Sequence, residues 1–210
     1  MEHIKSFNSE VLSTPEGELI LSGPIPSSQL QQYTIHTGLH AFRRPEEQFK
    51  ALVEIAELPE GRIIAAIING VIVGYVTFHY PDEMERWSEA GMDDLIELGA
   101  IEVALPYRQY GIGKRLIKLA FLDGQLDNCI VFTTEYYWHW DLEGTGLSVW
   151  DYRKMMENLM KCVNMVWFAT DDPEICSHPA NCLMVRVGPI VPLSSTQQFD
   201  RVRFHQRFMY

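Results

Sequence analysis

The sequence predicts an α/β domain, and three observations carry that expectation. Arg62 to Ile68 and Val71 to Tyr80 are apolar runs joined by Asn69-Gly70, a pair that supplies the positive φ angles of a type I′ hairpin turn. Upstream, Arg44-Pro45-Glu46-Glu47 has the marks of a helix start, with Pro at the first position and acids in the first turn. Phe49, Leu52, Val53 and Ala56 follow at i, i+3, i+4 and i+7 as one buried stripe. Downstream, a strand from Glu97 to Leu105 leads through Arg108-Gln109-Tyr110-Gly111-Ile112-Gly113-Lys114 into a helix that reaches about Asp123 and is closed by Gly124.

The remaining elements fall around these. Met1 to about Pro15 is polar and without period and reads as an N-terminal extension. Leu19-Ile20-Leu21 forms a first strand ended by Gly23-Pro24, Ser27-Ser28 caps a short helix, and the helix after Pro45 stops at Pro59. Cys129 to Thr134 is a strand. Ser148 and Asp151 make a capping arrangement, after which Tyr152, Met155, Met156 and Leu159 give a helical stripe as far as Lys161. Met165 to Ala169 and Leu183 to Val187 are further strands. Val202, Phe204 and Phe208 alternate with Arg201, Arg203, His205 and Arg207, so residues 189–210 read as a half-buried strand and tail. The 210 residues are expected to form one domain.

Composition narrows the partners. A net charge of -11 argues against nucleic acid or an anionic membrane as the main partner, and the apolar runs are too short to span a bilayer. Met1-Glu2-His3-Ile4-Lys5 opens no signal peptide, and Cys129, Cys162, Cys176 and Cys182 are scattered, so a reducing, cytoplasmic setting is expected. Between Asp82 and Glu102, eight acids face only Arg86. Such a run is either a solvated loop or a surface for a basic partner.

The glycine loop is the most informative segment. Glycines let the backbone approach an anion, and the free N–H groups and dipole of a helix start favour a pyrophosphate. A dinucleotide fingerprint would need a third glycine where Leu116 stands, and a Walker loop would need Ser or Thr where Arg115 stands. The pattern Arg-x-x-Gly-x-Gly from Arg108 to Gly113, with Val103 on the strand five residues before it, resembles the acetyl-coenzyme A signature of the GNAT superfamily of N-acetyltransferases.

That resemblance covers most of the chain from about Leu19 and implies the acyl-CoA N-acyltransferase fold, a central mixed and mostly antiparallel sheet flanked by helices. It implies acetyl-CoA as co-substrate, with no metal. The backbone of Val103 and Leu105 would pair with the pantetheine arm, while Arg108, Gln109, Tyr110, Gly111, Ile112, Gly113 and Lys114 would hold the pyrophosphate. Lys114, Arg115 and Lys118 are candidates for the nucleotide phosphate or a solvated face. The tract Tyr136 to Asp141 and the tail Pro189 to Tyr210 resemble the acetoin-utilisation branch, whose members acetylate a protein, acetyl-CoA synthetase. The helix from Ser148 departs from the usual family ending, with Met160-Lys161-Cys162-Val163 in its place. Two other readings are an acetyl-CoA-binding regulatory protein that acts by complex formation and a small-amine N-acetyltransferase.

Lysine acetylation needs a base, because bringing an ammonium of pKa near 10.4 to its neutral form at pH 7 costs roughly 4.6 kcal/mol. Glu97 and Glu102 are the carboxylates on the strand before the loop, and family members commonly carry a glutamate near the position of Glu97. Odd-even alternation places Glu97 on the face of Val103 and Glu102 on the other, unless the strand is bulged. Both stay open as the base. Tyr136, Tyr137, Trp138, His139, Trp140 and Tyr152 are candidates for a substrate wall or a proton donor, with packing as the alternative. Cys176-x-His178 with Cys182 matches no standard zinc spacing, and Cys129 reads as core.

Overall fold

Strand structure begins earlier than the sequence suggests. In the computed structural model, which describes residues 2–205, the polar N-terminal stretch forms β1 (Asn8–Thr14), paired antiparallel with β2 (Gly17–Gly23) from Asn8↔Gly23 to Thr14↔Gly17. No β1 residue is buried, so the strand carries no apolar alternation and is held by its backbone ladder. The chain divides into two compact units, one comprising Glu2–His79 with Leu98–Gln125, the other built mainly from Tyr80–Glu97 and Leu126–Tyr210.

In the first unit, α1 (Ser27–Leu30) and the two-residue β3 (Thr34–Ile35) lead to α2 (Pro45–Glu57). Ser27 opens α1 from inside the helix, and Pro26 occupies the cap. The hairpin is β4 (Arg62–Ile68) with β5 (Val71–His79), and Asn69 and Gly70 at φ 50° and 76° make the expected left-handed turn. β2 pairs antiparallel with β4, β4 with β5, and β3 joins β5 in parallel. Next to β5 lies β6 (Leu95–Val103), whose residues from Leu98 onward belong to this unit. Then comes α3 (Ile112–Ala120), with Ile112, Leu116, Ile117, Leu119 and Ala120 buried. The core gathers Ile25, Leu30, Leu39, Leu52, Ile63, Ile72 and Tyr75, with Phe49, Val53 and Ala56 of α2 packed against it. Each fully buried aliphatic side chain here contributes about 1.5–3 kcal/mol.

The second unit holds the first three residues of β6. They pair in parallel with β7 (Ile130–Glu135) as Leu95↔Ile130, Ile96↔Val131 and Glu97↔Phe132. Next come α4 (Leu142–Thr145), α5 (Val149–Lys161), β8 (Val166–Phe168), α6 (Pro173–Cys176) and β9 (Cys182–Val187). β9 pairs antiparallel with β7 on one side and β8 on the other. Ser148 caps α5 as expected, its side chain accepting from the Asp151 N–H. The buried positions of α5 are Met156 and Met160, whereas Met155, placed on the stripe by the sequence, is exposed.

The C-terminal segment corrects the sequence reading. Residues expected as a strand form α7 (Leu193–Arg203), and Phe199 and Val202, at i and i+3, are the positions it buries. Phe208 lies outside the described residues. Phe199 meets Trp87, Phe132 and Phe168 at ring-centroid distances of 6.1, 6.4 and 6.5 Å. With Leu95, Ile130, Leu183 and Val185 these aromatics form the unit's core.

Candidate active site

After β6, Leu105–Tyr110 coil into a 3-10 turn, which ends at Gly111 with φ 66° and ψ 27°. Gly111 is at once the end of that turn and the N-cap of α3, and no side chain caps the helix. A non-glycine residue in this left-handed conformation costs about 1–2 kcal/mol, although space is open, since a Cβ at Gly111 would meet nothing within 4 Å. The first N–H groups of α3, those of Ile112, Gly113 and Lys114, therefore precede any intrahelical acceptor. Beside them lies a hollow of about 520 Å³ whose lining includes Tyr110, Gly111, Lys114, Arg115, Lys118 and Glu10.

The cations around this hollow differ. Lys114 and Lys118 are exposed. Arg115 is ion-paired with Glu10 of β1, and the Tyr110 hydroxyl donates to Glu16 Oε2 at 2.9 Å. The Nε of Arg108 donates to the Val103 carbonyl at 2.9 Å, so Arg108 folds back on the strand end. Ala104 N–H donates to Val73 O, Leu105 is the exposed first residue of the 3-10 turn, and Gln109 is exposed.

The two strand glutamates keep different company. Glu102, 6% exposed, accepts from the Ala41 N–H at 2.8 Å through Oε1 and from the Tyr75 hydroxyl at 2.7 Å through Oε2. Burial, then the adjacent Glu102 charge, raises the Tyr75 phenol far above its ordinary range, so it stays a donor. The carboxylate of Glu97, a residue 8% exposed, accepts no hydrogen bond among the described residues. Burial, with smaller contributions from the charges of Glu85 and Asp82, raises its carboxyl to about 8. Tyr75 was legible only as a strand residue, because nothing in one strand's sequence says which carboxylate its phenol will meet.

The aromatic tract at the end of β7 is a stacked group. Tyr136 stacks on Trp138 at 4.8 Å and meets the His139 edge at 5.9 Å, and Tyr137 contacts His178 at 4.2 Å. Trp140 stacks on Tyr152 at 5.2 Å and donates through Nε1 to Glu135 Oε2 at 3.0 Å. Glu135 is buried, and desolvation raises its carboxyl to about 7. Cys129 and Cys182 are buried, and no group of three or more His, Cys, Asp or Glu among the described residues is placed to hold a metal ion.

Residues 30–137, which contain β6, the glycine loop and α3, match the acetyltransferase (GNAT) family. The chain belongs to the GNAT acetyltransferase family. It is an N-acetyltransferase, and its mixed, mostly antiparallel sheet flanked by helices is the GNAT fold, whose family uses acetyl-CoA. Over all 210 residues, and over the full length of each relative, it is 55% identical to the acetoin utilization protein AcuA of Bacillus licheniformis and 56% identical to that of Bacillus subtilis. The crystal structure of an acetoin utilization protein from Exiguobacterium sibiricum is 53% identical and superposes with a TM-score of 0.95, covering 99% of this chain and 98% of that one. The GNAT match ends at residue 137, so α4, α5, β8, α6, β9 and α7 lie beyond it.

Proposed function

We propose that this GNAT enzyme is a cytoplasmic single-domain protein lysine N-acetyltransferase that works in acetoin utilisation and acetylates acetyl-CoA synthetase, lowering its activity. The full-length identity to proteins named for acetoin utilisation supports the setting. Among the described residues no helix is long and apolar enough to cross a membrane.

The uncapped start of α3 fits acetyl-CoA. Ile112, Gly113 and Lys114 offer their N–H groups to the pyrophosphate, Gly111 leaves the approach open, and Lys114 and Lys118 add positive charge. Arg108, Gln109 and Tyr110 frame the loop, and the backbone of Val103 and Leu105 is assigned to the amides of the pantetheine arm. Acetyl-CoA supplies an activated acetyl thioester.

Glu97 carries the chemistry. It is a buried carboxylate with no hydrogen-bond donor of its own among the described residues, so its basicity is not spent within the fold. A carboxyl raised to about 8 is matched to taking a proton from a lysine ammonium near neutral pH, after which the free amine can attack. Glu102, with both oxygens engaged, is assigned to holding Tyr75 and the Ala41 backbone instead.

The test is incubation of the protein with labelled acetyl-CoA and purified acetyl-CoA synthetase, followed by mass spectrometry and assay of the synthetase. The expected result is one acetylated lysine and lost synthetase activity. Label appearing only on small amines would remove the protein-substrate assignment.

A further inference from the structure

Around Glu97, the second unit assembles carboxylates from two separate stretches of chain. The turn after β5 contributes Asp82 and Glu85, closed by the Glu85 N–H donating to Asp82 O at 2.9 Å. Arg86 ties this turn to the segment before α6, reaching Asp171 at 2.8 Å and Asp172 at 3.4 Å and donating to Val202 O at 2.7 Å. The Arg86 guanidinium is thereby committed to Asp171 and Asp172. Asp172 also caps α6, accepting from the Glu174 and Ile175 N–H groups at 3.0 and 2.9 Å, and so fixes Glu174 at the first turn. Glu85 and Glu174 are exposed, and neither side chain accepts a hydrogen bond among the described residues.

Two independent features show that this cluster is more than a solvated acidic surface. Glu97, more than nine-tenths buried and with no hydrogen bond to its carboxylate among the described residues, is the ladder partner of Phe132, on which Trp87, two residues after Glu85, packs at 5.2 Å. The stacked pair Tyr136 and Trp138 belongs to the same neighbourhood, because Tyr136 packs on the core that holds Trp87, Phe132 and Ile175, and Ile175 directly follows Glu174. Burial, and then the charges of Asp82, Glu174 and Asp172, raises the Glu85 carboxyl above its usual range, so the group is short of positive charge. Carboxylates beside an aromatic face form a receptor for ammonium and guanidinium groups.

We propose that Asp82, Glu85 and Glu174, with Tyr136 and Trp138, form an acceptor subsite for a segment of a protein in which the target lysine has a second cationic residue beside it. The inference rests on the lysine-acetyltransferase reading and adds a rule for which lysines are chosen. One ammonium approaches Glu97 for deprotonation, while the neighbouring positive charge meets Glu85 and Glu174. A lysine flanked by acids would place like charges together and is rejected.

The experiment titrates three probes into the full chain saturated with coenzyme A, by calorimetry at low salt. They are a capped pentapeptide with arginines on both sides of its lysine, the same peptide with glutamates there, and spermidine. The arginine peptide should bind at least tenfold more tightly than the glutamate peptide. The double variant Glu85→Gln, Glu174→Gln should lose at least about tenfold of that affinity and keep its coenzyme A affinity. Equal binding of the two peptides, or unchanged binding by the double variant, overturns the subsite. Tighter binding of spermidine than of the arginine peptide overturns its assignment to a protein segment. If the arginine peptide binds as expected but gains no acetyl group when incubated with the protein and acetyl-CoA, the subsite stands and the lysine-acetyltransferase reading fails.

Discussion

The phenol of Tyr75 donates to Glu102 Oε2 at 2.7 Å, and the other oxygen of that carboxylate is held by the Ala41 N–H at 2.8 Å. A fully engaged buried carboxylate makes a poor base and a good brace. Tyr75→Phe should cost about 1–3 kcal/mol of stability in urea unfolding, because Glu102 loses a partner it cannot replace from water. Turnover per folded molecule should stay within about twofold. Glu102→Gln should also destabilise, since its amide NH₂ would face a donor. A loss of a hundredfold or more in kcat for Glu102→Gln with unchanged stability would make Glu102 the base.

Glu97→Gln should lower kcat by about two to four orders of magnitude with little change in acetyl-CoA affinity. The base must be ionised to work, and its carboxyl is raised to about 8, so the parent rate should climb with pH and level off above that value. Glu85→Gln removes a neighbouring negative charge and should move this limb to lower pH. Steady-state rates from pH 6 to 9.5 decide it, and a limb that survives in Glu97→Gln would assign the proton to another group.

Glu135 provides a stability counterpart. Its carboxyl is raised to about 7 by burial, so the folded protein holds a proton that the unfolded chain, at about 4.3, releases earlier. The stabilisation from that proton is complete below the unfolded value and is lost as pH rises through 7. Glu135→Gln keeps an acceptor for Trp140 Nε1 and should flatten the profile, gaining relative to the parent between pH 5 and pH 8.5. Parallel melting-temperature profiles for the two proteins would contradict this.

At the loop, Gly111→Ala should fold with a loss of about 1–2 kcal/mol from the left-handed backbone alone. Gly113→Glu, which adds an anion to the first turn of α3, should abolish measurable acetyl-CoA binding while circular dichroism stays near the parent's. Retained affinity in a folded Gly113→Glu protein would remove the loop from the cofactor site.

Glu10 faces the same hollow through its ion pair with Arg115. Glu10→Gln should tighten acetyl-CoA binding by about two- to tenfold at low ionic strength, with the gain shrinking in 1 M salt as screening shortens to about 3 Å. Weaker binding in this variant would mean that Arg115 must be held by Glu10 to serve the ligand.

What the sequence disclosed follows from where its signals are local. Asn69-Gly70 specifies its own turn, and Gly111 and Gly113 mark a helix start whatever surrounds them. β1 was hidden because its side chains, none of them buried, carry no apolar period, and what pairs it along its length is the backbone ladder to β2. The last helix was misread because Val202, Phe204 and Phe208 alternate, while the pair that is buried, Phe199 and Val202, is spaced for a helix. The proposed preference for Glu97 over Glu102 rests on Ala41, Tyr75, Asp82 and Glu85, all remote in sequence from at least one of the two glutamates.

The packing of Phe199 against Trp87 and Phe132 also bears on how the chain is made. Leu95 and Ile130, which align the start of β6 with β7 and so hold Glu97, share that core with a side chain synthesised long after them. On the ribosome the stretch that bears the proposed base is extruded well before its cover, and the unit that holds the glycine loop is complete by Gln125, ahead of β7 and α7. The nascent protein can therefore shape the unit proposed to bind coenzyme while the unit that bears the proposed base still waits for α7, and a transferase that cannot yet transfer is what the order of synthesis produces.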